Sequence, residues 1–397
     1  LLNWKKNLLF VWMSQFLSLA GFSFAMPFIP FYIKHLGVHD DAARNMWVAI
    51  FTASGYIAFC LFSPLWGFLA DIYGRRIMLL RANFLSAILV PMMAFVPNVA
   101  LLVVIRFLLG MFAGTVTAAQ TLISGNTPHA NRGIALGTLS SALFSGAMAG
   151  NFFGGITVDA FGYKTAFFVC GGLLFCAGLL AFGVNEEFEK TTTLKEKLSE
   201  VKMQVPKFGA FWLILGMVMV MGFARMFDRP FLPLLVEEIN GPKNAASWTG
   251  MIASLAAIAG IMSGTLLGWL ADRFSAPRVA MFSALFAGLL MIPQGLAQSL
   301  GILIIARFGM VFCAGGLDPV FQIWLAKSTP DEKRGLFFGW ASSAKSFGWV
   351  LCSMSSGCVA MFFGIRIVYF VAAAVFIMLI PLILYSAKKL PATNQFE

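Results

Sequence analysis

Twelve apolar runs, all but one of them twenty residues or longer, follow one another along this chain with only short polar breaks between them. They lie at 7–33, 46–70, 78–96, 99–124, 134–158, 165–184, 209–236, 247–271, 279–298, 300–326, 336–362 and 365–387. A helix of about 20 residues spans the hydrocarbon of a bilayer, and in lipid only helices and closed barrels satisfy every backbone donor and acceptor. A water-soluble core could not hide so much apolar surface, because 59% of the residues are hydrophobic and only 11% charged. The expected fold class is therefore an all-α membrane protein.

An even number of crossings puts both termini on one side, and Lys and Arg report which side that is. Eighteen fall in the termini and loops on that side; only Lys34, Arg44, Lys164, Lys243 and Arg366 fall opposite. Both termini are thus expected in the cytoplasm. The polar stretch 185–207 becomes a cytoplasmic linker, amphipathic through Leu194, Leu198 and Val201 and lying along the membrane surface. The net charge of +11 is read as topology and not as a nucleic-acid footprint, since the cations sit in short loops between apolar runs.

The chain repeats itself. Gly67-Phe68-Leu69-Ala70-Asp71-Ile72-Tyr73-Gly74-Arg75-Arg76 returns 201 residues later as Gly268-Trp269-Leu270-Ala271-Asp272-Arg273 and the residues after it. Pro27 and Pro30 match Pro230 and Pro233, Arg106 matches Arg307, and Gly162 matches Gly364, with the offset held between 201 and 203. Such a register implies duplicated six-helix bundles, related by an axis along the membrane normal. The expected domains are an N-terminal bundle (1–184), the linker (185–207) and a C-terminal bundle (208–397). Each copy of the motif is expected to be a short charged loop joining two membrane helices. Gly67 and Gly74 would allow close backbone approach, Asp71 would cap the third helix or meet a cation, and Arg75 and Arg76 would hold the anionic inner surface. With Gly268 and Asp272 in the second copy, they form a candidate gate.

Two six-helix halves, a middle linker and this motif resemble the major facilitator superfamily, over nearly the whole chain. In the fifth helix, Gly146-Ala147-Met148-Ala149-Gly150-Asn151-Phe152-Phe153-Gly154-Gly155 resembles the antiporter motif of its proton-coupled drug efflux branch, with Asn151 standing at the family's proline. The resemblance implies twelve transmembrane helices in two pseudo-symmetric bundles, alternating access to a midplane site, and a part for Arg106 in proton coupling or in holding its helix. Independently of it, Gly146, Gly150 and Gly154 recur at i, i+4, i+8, a spacing for close helix contact. Without the family's proline, no kink is expected at Asn151.

Ionisable residues inside a span are costly and are functional candidates by default. Arg225, Asp228 and Arg229 would share one face of the seventh helix just before Pro230, where the helix should loosen; Asp318 and Lys345 lie on helices adjacent in sequence and are placed to pair. Two readings stand. In one, Asp228 neutralises an arginine and Asp318 neutralises Lys345, fixing helix packing. In the other they line a cavity, with Asp228 or Asp318 taking up a proton and the cations meeting substrate. Gln120 and Gln322, aligned across the repeat, are polar contacts in that cavity, and Trp324, Trp340 and Trp349 are packing or wall residues.

The expected function is secondary active transport, proton-coupled efflux of small amphipathic compounds or drugs. A dedicated carrier of an anionic solute, such as a carboxylate metabolite or siderophore, is the alternative, and a non-transporting receptor a further one. The six cysteines all fall in apolar runs and read as buried fillers, and no metal-ligand or nucleophile pattern points to an enzyme, a metal or a cofactor. The expected partners are a small-molecule substrate, protons and lipids, with no nucleic acid, for a monomer in a bacterial inner (cytoplasmic) membrane.

Overall fold

A computed structural model describes residues 4–128, 131–186, 209–327 and 334–389; the regular structure in them is helical, with no strand among the described residues. The expected surface linker therefore falls almost wholly outside the described residues; only Asn185 and Glu186 lie within them.

In the first repeat the helices are α1 (Trp4–Ala25), α2 (Ile29–His35), α3 (Asp41–Tyr73), α4 (Arg75–Met92), α5 (Val99–Phe112), α6 (Thr115–Asn126) and α7 (Arg132–Ala181). In the second they are α8 (Gly209–Met226), α9 (Leu232–Asn240), α10 (Ala245–Arg273), α11 (Ala276–Gly295), α12 (Leu300–Ala314), α13 (Leu317–Lys327), α14 (Arg334–Phe363) and α15 (Ile365–Lys389). Ten stretches among the described residues are long and apolar enough to cross a membrane. One of them, α7, has 50 residues, about 75 Å of helix, far more than one bilayer core. It is broken at Gly162, whose φ of 80° and ψ of 173° are not helical, and so supplies two crossings. The pair α8 and α9, joined by a 3-10 turn at Arg229–Phe231, completes twelve.

The repeat extends to the breaks in the helices. Pro27 and Pro230 lack an amide donor, and each sits in a 3-10 turn that interrupts the first or seventh crossing. The fourth and tenth crossings, expected as continuous runs, are each split: α5 gives way to α6 at Gly114 (φ 125°), and α12 to α13 at Gly315 and Gly316. Backbone freed by a break inside a membrane protein needs another partner. The Gly316 amide finds one in the Ser263 hydroxyl at 2.7 Å.

The motif expected to form loops is itself largely helical. Helix α3 continues through Asp71 to Tyr73 and α4 starts at Arg75, so Gly74 alone, at φ 90°, turns the chain. In the second copy α10 runs to Arg273 and only Phe274 and Ser275 separate it from α11. One residue free to take positive φ can end one helix and aim the next, which a charged composition does not reveal.

Two compact units are present. The first takes residues 1–32, 54–204 and 246–254, the second 33–53, 205–245 and 255–397. In the first, Val11, Leu79, Leu122, Ile123 and Leu139 are at most 1% exposed and tie α1, α4, α6 and α7 together. The cysteines are not uniformly buried: Cys170 and Cys352 are, whereas Cys176 and Cys358 are exposed. An apolar run gives no phase by itself, since the lipid-facing side of a membrane helix is as apolar as its core side.

Candidate transport site

Within the second unit, five intramembrane charges form two clusters. Helix α8 stops at Met226, so Arg225, Asp228 and Arg229 do not stay on one helical face. Asp228 pairs with Arg307 of α12, the two side chains being 0% and 7% exposed. Arg307 Nη1 also lies 3.4 Å from Gln294 Oε1 on α11. The expectation that Asp228 is neutralised by an arginine holds, but the arginine comes from another helix because the turn at Pro230 re-aims the carboxylate.

Asp318, in the first turn of α13, has one carboxylate oxygen on Arg225 of α8 and the other 3.4 Å from Lys345 Nζ of α14. The expected pairing with Lys345 is present, and Arg225 is the additional partner. These side chains keep 23–28% of their surface exposed, unlike the sealed pair beside Arg307. Lys345 Nζ also stands 5.6 Å from the Trp349 ring centre. Glycines bring α14 close enough for this: a Cβ on Gly222 would be 3.0 Å from Lys345 Cγ, and one on Gly348 would be 2.4 Å from the Met219 carbonyl oxygen. Gln322 is exposed one turn beyond Asp318, and Arg229 Nη1 contacts Met226 Sδ at 3.6 Å. Trp324 is 5% exposed and stacks on Phe321, while Trp340 meets Trp212 edge-on.

In the first unit Arg106 occupies the backbone position matched to Arg307 in different surroundings. Ala25 stands where Asp228 does in the repeat, and the Arg106 guanidinium packs where Gly55 leaves room, since a Cβ there would be 2.5 Å from Nε. Gln120 is exposed on α6. The glycine stripe of α7 lies along the α1 backbone: added Cβ atoms at Gly146, Gly150 and Gly154 would fall 2.2–2.4 Å from the carbonyl oxygens of Phe16, Ala20 and Phe24. Gly155 and Asn151 face the opening of α10, where Ala246 O would be 2.4 Å from a Gly155 Cβ and Asn151 O 2.2 Å from a Gly250 Cβ. Asn151 sits inside a helix that continues past it to Gly162. At the end of the same segment, Asp159 Oδ2 accepts from the Ser247 amide and hydroxyl at 2.7 and 2.6 Å.

At the motif, the amides that open α4 are met by a residue sequence reading passed over. Glu186 accepts from the Arg75 and Arg76 backbone N–H groups at 2.9 and 2.8 Å, and Arg76 Nη2 donates to Phe182 O at 2.6 Å. A carboxylate at a helix N-terminus is favoured by both the free amides and the helix dipole. Asn185 and Asn7 exchange two hydrogen bonds at 2.6 and 2.9 Å, fixing Glu186 in place. The side chains of Asp71 and Asp272 lie outside the described residues; Gly67 and Gly268 have open space where a Cβ would be. Glu186 and Gln294 carried no signal a single sequence could show, because their partners are 110 and 13 residues away.

The sequence profile of the Major Facilitator Superfamily matches this chain twice, over residues 11–227 and 214–396, as the internal repeat requires. The multidrug resistance protein MdtG of a Rahnella species is 34% identical over 379 residues, covering 94% of this chain and 92% of that protein. MdtG of Escherichia coli is 33% identical over the same length, with the same shares covered. Among solved structures, a D-xylose-proton symporter superposes with a TM-score of 0.79 at 15% identity, over 98% of both chains. The nucleoside transporter NupG gives 0.77 at 14% identity, over 96% of this chain and 99% of its own. Repeat, helix breaks, profile and relatives agree over nearly all of its length, and the chain belongs to the major facilitator superfamily.

Proposed function

We propose that this protein exports small amphipathic compounds, drugs among them, in exchange for protons, with Asp318 as the carboxylate through which the exchange is coupled. The reading rests on the multidrug resistance proteins it resembles over 94% of its length and on one observation: Asp318 is held by two cations from two other helices yet remains 28% exposed. A coupling carboxylate must be reachable by protons and must hold something that moves when its charge is lost. Ionised, Asp318 clamps α8, α13 and α14 through Arg225 and Lys345. Protonated, it no longer attracts either cation, and the three helices are free to shift. Asp228 is at 0% exposure and serves as the fixed partner of Arg307. Gln120 and Gln322 supply polar contacts to substrate, and Arg106 supports the coupling from the first repeat. The two six-helix repeats act as the moving halves of an alternating-access cycle, with the Gly74 motif on the cytoplasmic face of a bacterial inner membrane and the protein working as a monomer.

Proteoliposomes with an imposed pH gradient test this directly. Uptake of a fluorescent lipophilic cation driven by an acidic interior is expected for the native protein and abolished in Asp318→Asn, with the variant still eluting as a folded monomer. Gradient-driven transport that survives in Asp318→Asn would remove Asp318 from the coupling step. Movement of an organic anion in place of the cation would promote the anion-carrier reading.

A further inference from the structure

A half-open pocket of about 260 Å³ lies in the first unit, walled by α3, α4 and the opening of α6, with Gly67, Thr117 and Thr121 exposed at its edge. Ser63, Trp66, Arg75, Arg81, Gly114 and Thr117 line it, and no acid is among the described residues that do. Arg81 is its distinctive member. Its guanidinium carbon stacks 3.4 Å from the centre of the Trp66 ring, and the ring is held in turn by an Nε1 hydrogen bond to Met111 O at 2.6 Å. Only Nη2 of Arg81 has an acceptor, the Phe112 carbonyl at 3.4 Å; Nε and Nη1 are buried without a partner among the described residues.

Arg81 is half-buried, but two buried guanidinium nitrogens with unmet hydrogens are costly, and positive-inside topology does not call for them, since that rule is served by cations in water. The neighbouring backbone adds to the same imbalance. Helix α6 begins at Gly114 with no side-chain cap, and its first ring-closing bond is Ala118 N–H to Gly114 O at 3.2 Å. The amides of Thr115, Val116 and Thr117 therefore have no acceptor within the helix, and the positive end of its dipole opens on the cavity. Thr117 and Ser63 add hydroxyl donors and Arg75 a second cation.

We propose that this cavity binds a phosphate group, held by Arg81 against Trp66 and by the opening turn of α6. Planar guanidinium, hydroxyls and helix-end amides together make a donor-rich lining, without an acid among the described residues, suited to a tetrahedral oxyanion, either the headgroup of an anionic phospholipid or free phosphate. The site is separate from the charge clusters of the second unit and takes no part in the coupling step.

Delipidated full-length protein in detergent tests the assignment by its thermal midpoint. Inorganic phosphate is titrated against chloride at equal ionic strength, and phosphatidylglycerol against phosphatidylcholine in mixed micelles. Stabilisation by phosphate and phosphatidylglycerol alike, or by either one alone, supports the site and identifies the source. In Arg81→Gln the half-saturating concentration is expected to rise roughly tenfold or more, as loss of a charge-assisted contact requires. Arg278→Gln, an exposed arginine outside the cavity, is expected to match the native protein. Should Arg81→Gln fail to fold, the double variant Ser63→Ala, Thr117→Val carries the same test, because it keeps the cation and removes the hydroxyls. The proposal is overturned if neither ligand shifts the native midpoint. It is equally overturned if the cavity variants retain the full shift, or if Arg278→Gln loses as much as they do.

Discussion

Replacing Asp228 by Asn separates the two charge clusters experimentally. The Asp228 side chain is 0% exposed and that of Arg307 7%, so the substitution leaves a guanidinium charge buried without its counter-ion. Breaking a buried pair from one side costs about 3–5 kcal/mol. For a chain of 397 residues, an unfolding entropy of about 2.1 cal/mol/K per residue makes each kcal/mol worth about 1.2 °C, so the midpoint should fall by about 4–6 °C. The pair is also incompletely satisfied, since Asp228 Oδ1 and Arg307 Nε have no hydrogen-bond partner among the described residues. Removing both charges, in Asp228→Leu with Arg307→Met, should therefore recover most of the loss. The assay is the midpoint of purified protein in micelles at one scan rate, because unfolding of such proteins is rarely reversible. Single variants that move it by less than about 1 °C would sink the argument, as would a double variant as unstable as the two singles summed. If Asp228→Asn keeps the native midpoint but loses gradient-driven transport, Asp228 is the titrating group and Asp318 the structural one.

Three further outcomes follow from the geometry. Gly150→Ala should impair folding, because its Cβ would sit 2.2 Å from the Ala20 carbonyl oxygen; Gly172→Ala, with nothing within 4 Å, should be neutral in the same expression and gel-filtration assay. Gly162→Ala should cost about 1–3 kcal/mol despite open space around it, since φ of 80° with ψ of 173° strains any residue with a Cβ; thermal midpoints measure it. Glu186→Ala should cost about 1 kcal/mol and speed hydrogen exchange at the Arg75 and Arg76 amides, which it caps at 2.9 and 2.8 Å.

Much of the fold was legible because its causes are local or periodic. The runs of twenty apolar residues demand a bilayer whatever their neighbours are, and the constant offset between Gly67 and Gly268, or Arg106 and Arg307, reports duplication without any knowledge of contacts. Pro27 and Pro230 announce their breaks by lacking a donor. Gly114 does not, because a glycine is compatible with continued helix, and only the surrounding packing drives it to positive φ.

The charged residues divide along the same line. Sequence by itself determined which ionisable groups are inside the membrane and that the second repeat holds most of them, because the cost of burying a charge depends on depth along a span. It also put Lys345 and Asp318 at similar depth on helices adjacent in sequence, where they could pair, and left open whether they do. Tertiary structure decided that Asp228 answers to Arg307 and that Arg225 completes the clamp on Asp318. It decided as well that Glu186, from beyond the motif, meets the Arg75 and Arg76 amides. Those pairings join residues 79, 93 and more than 100 positions apart, and each depends on where a helix break points a side chain. Hydrophobic pattern sets how deep a residue lies; only the packed helices set what it faces.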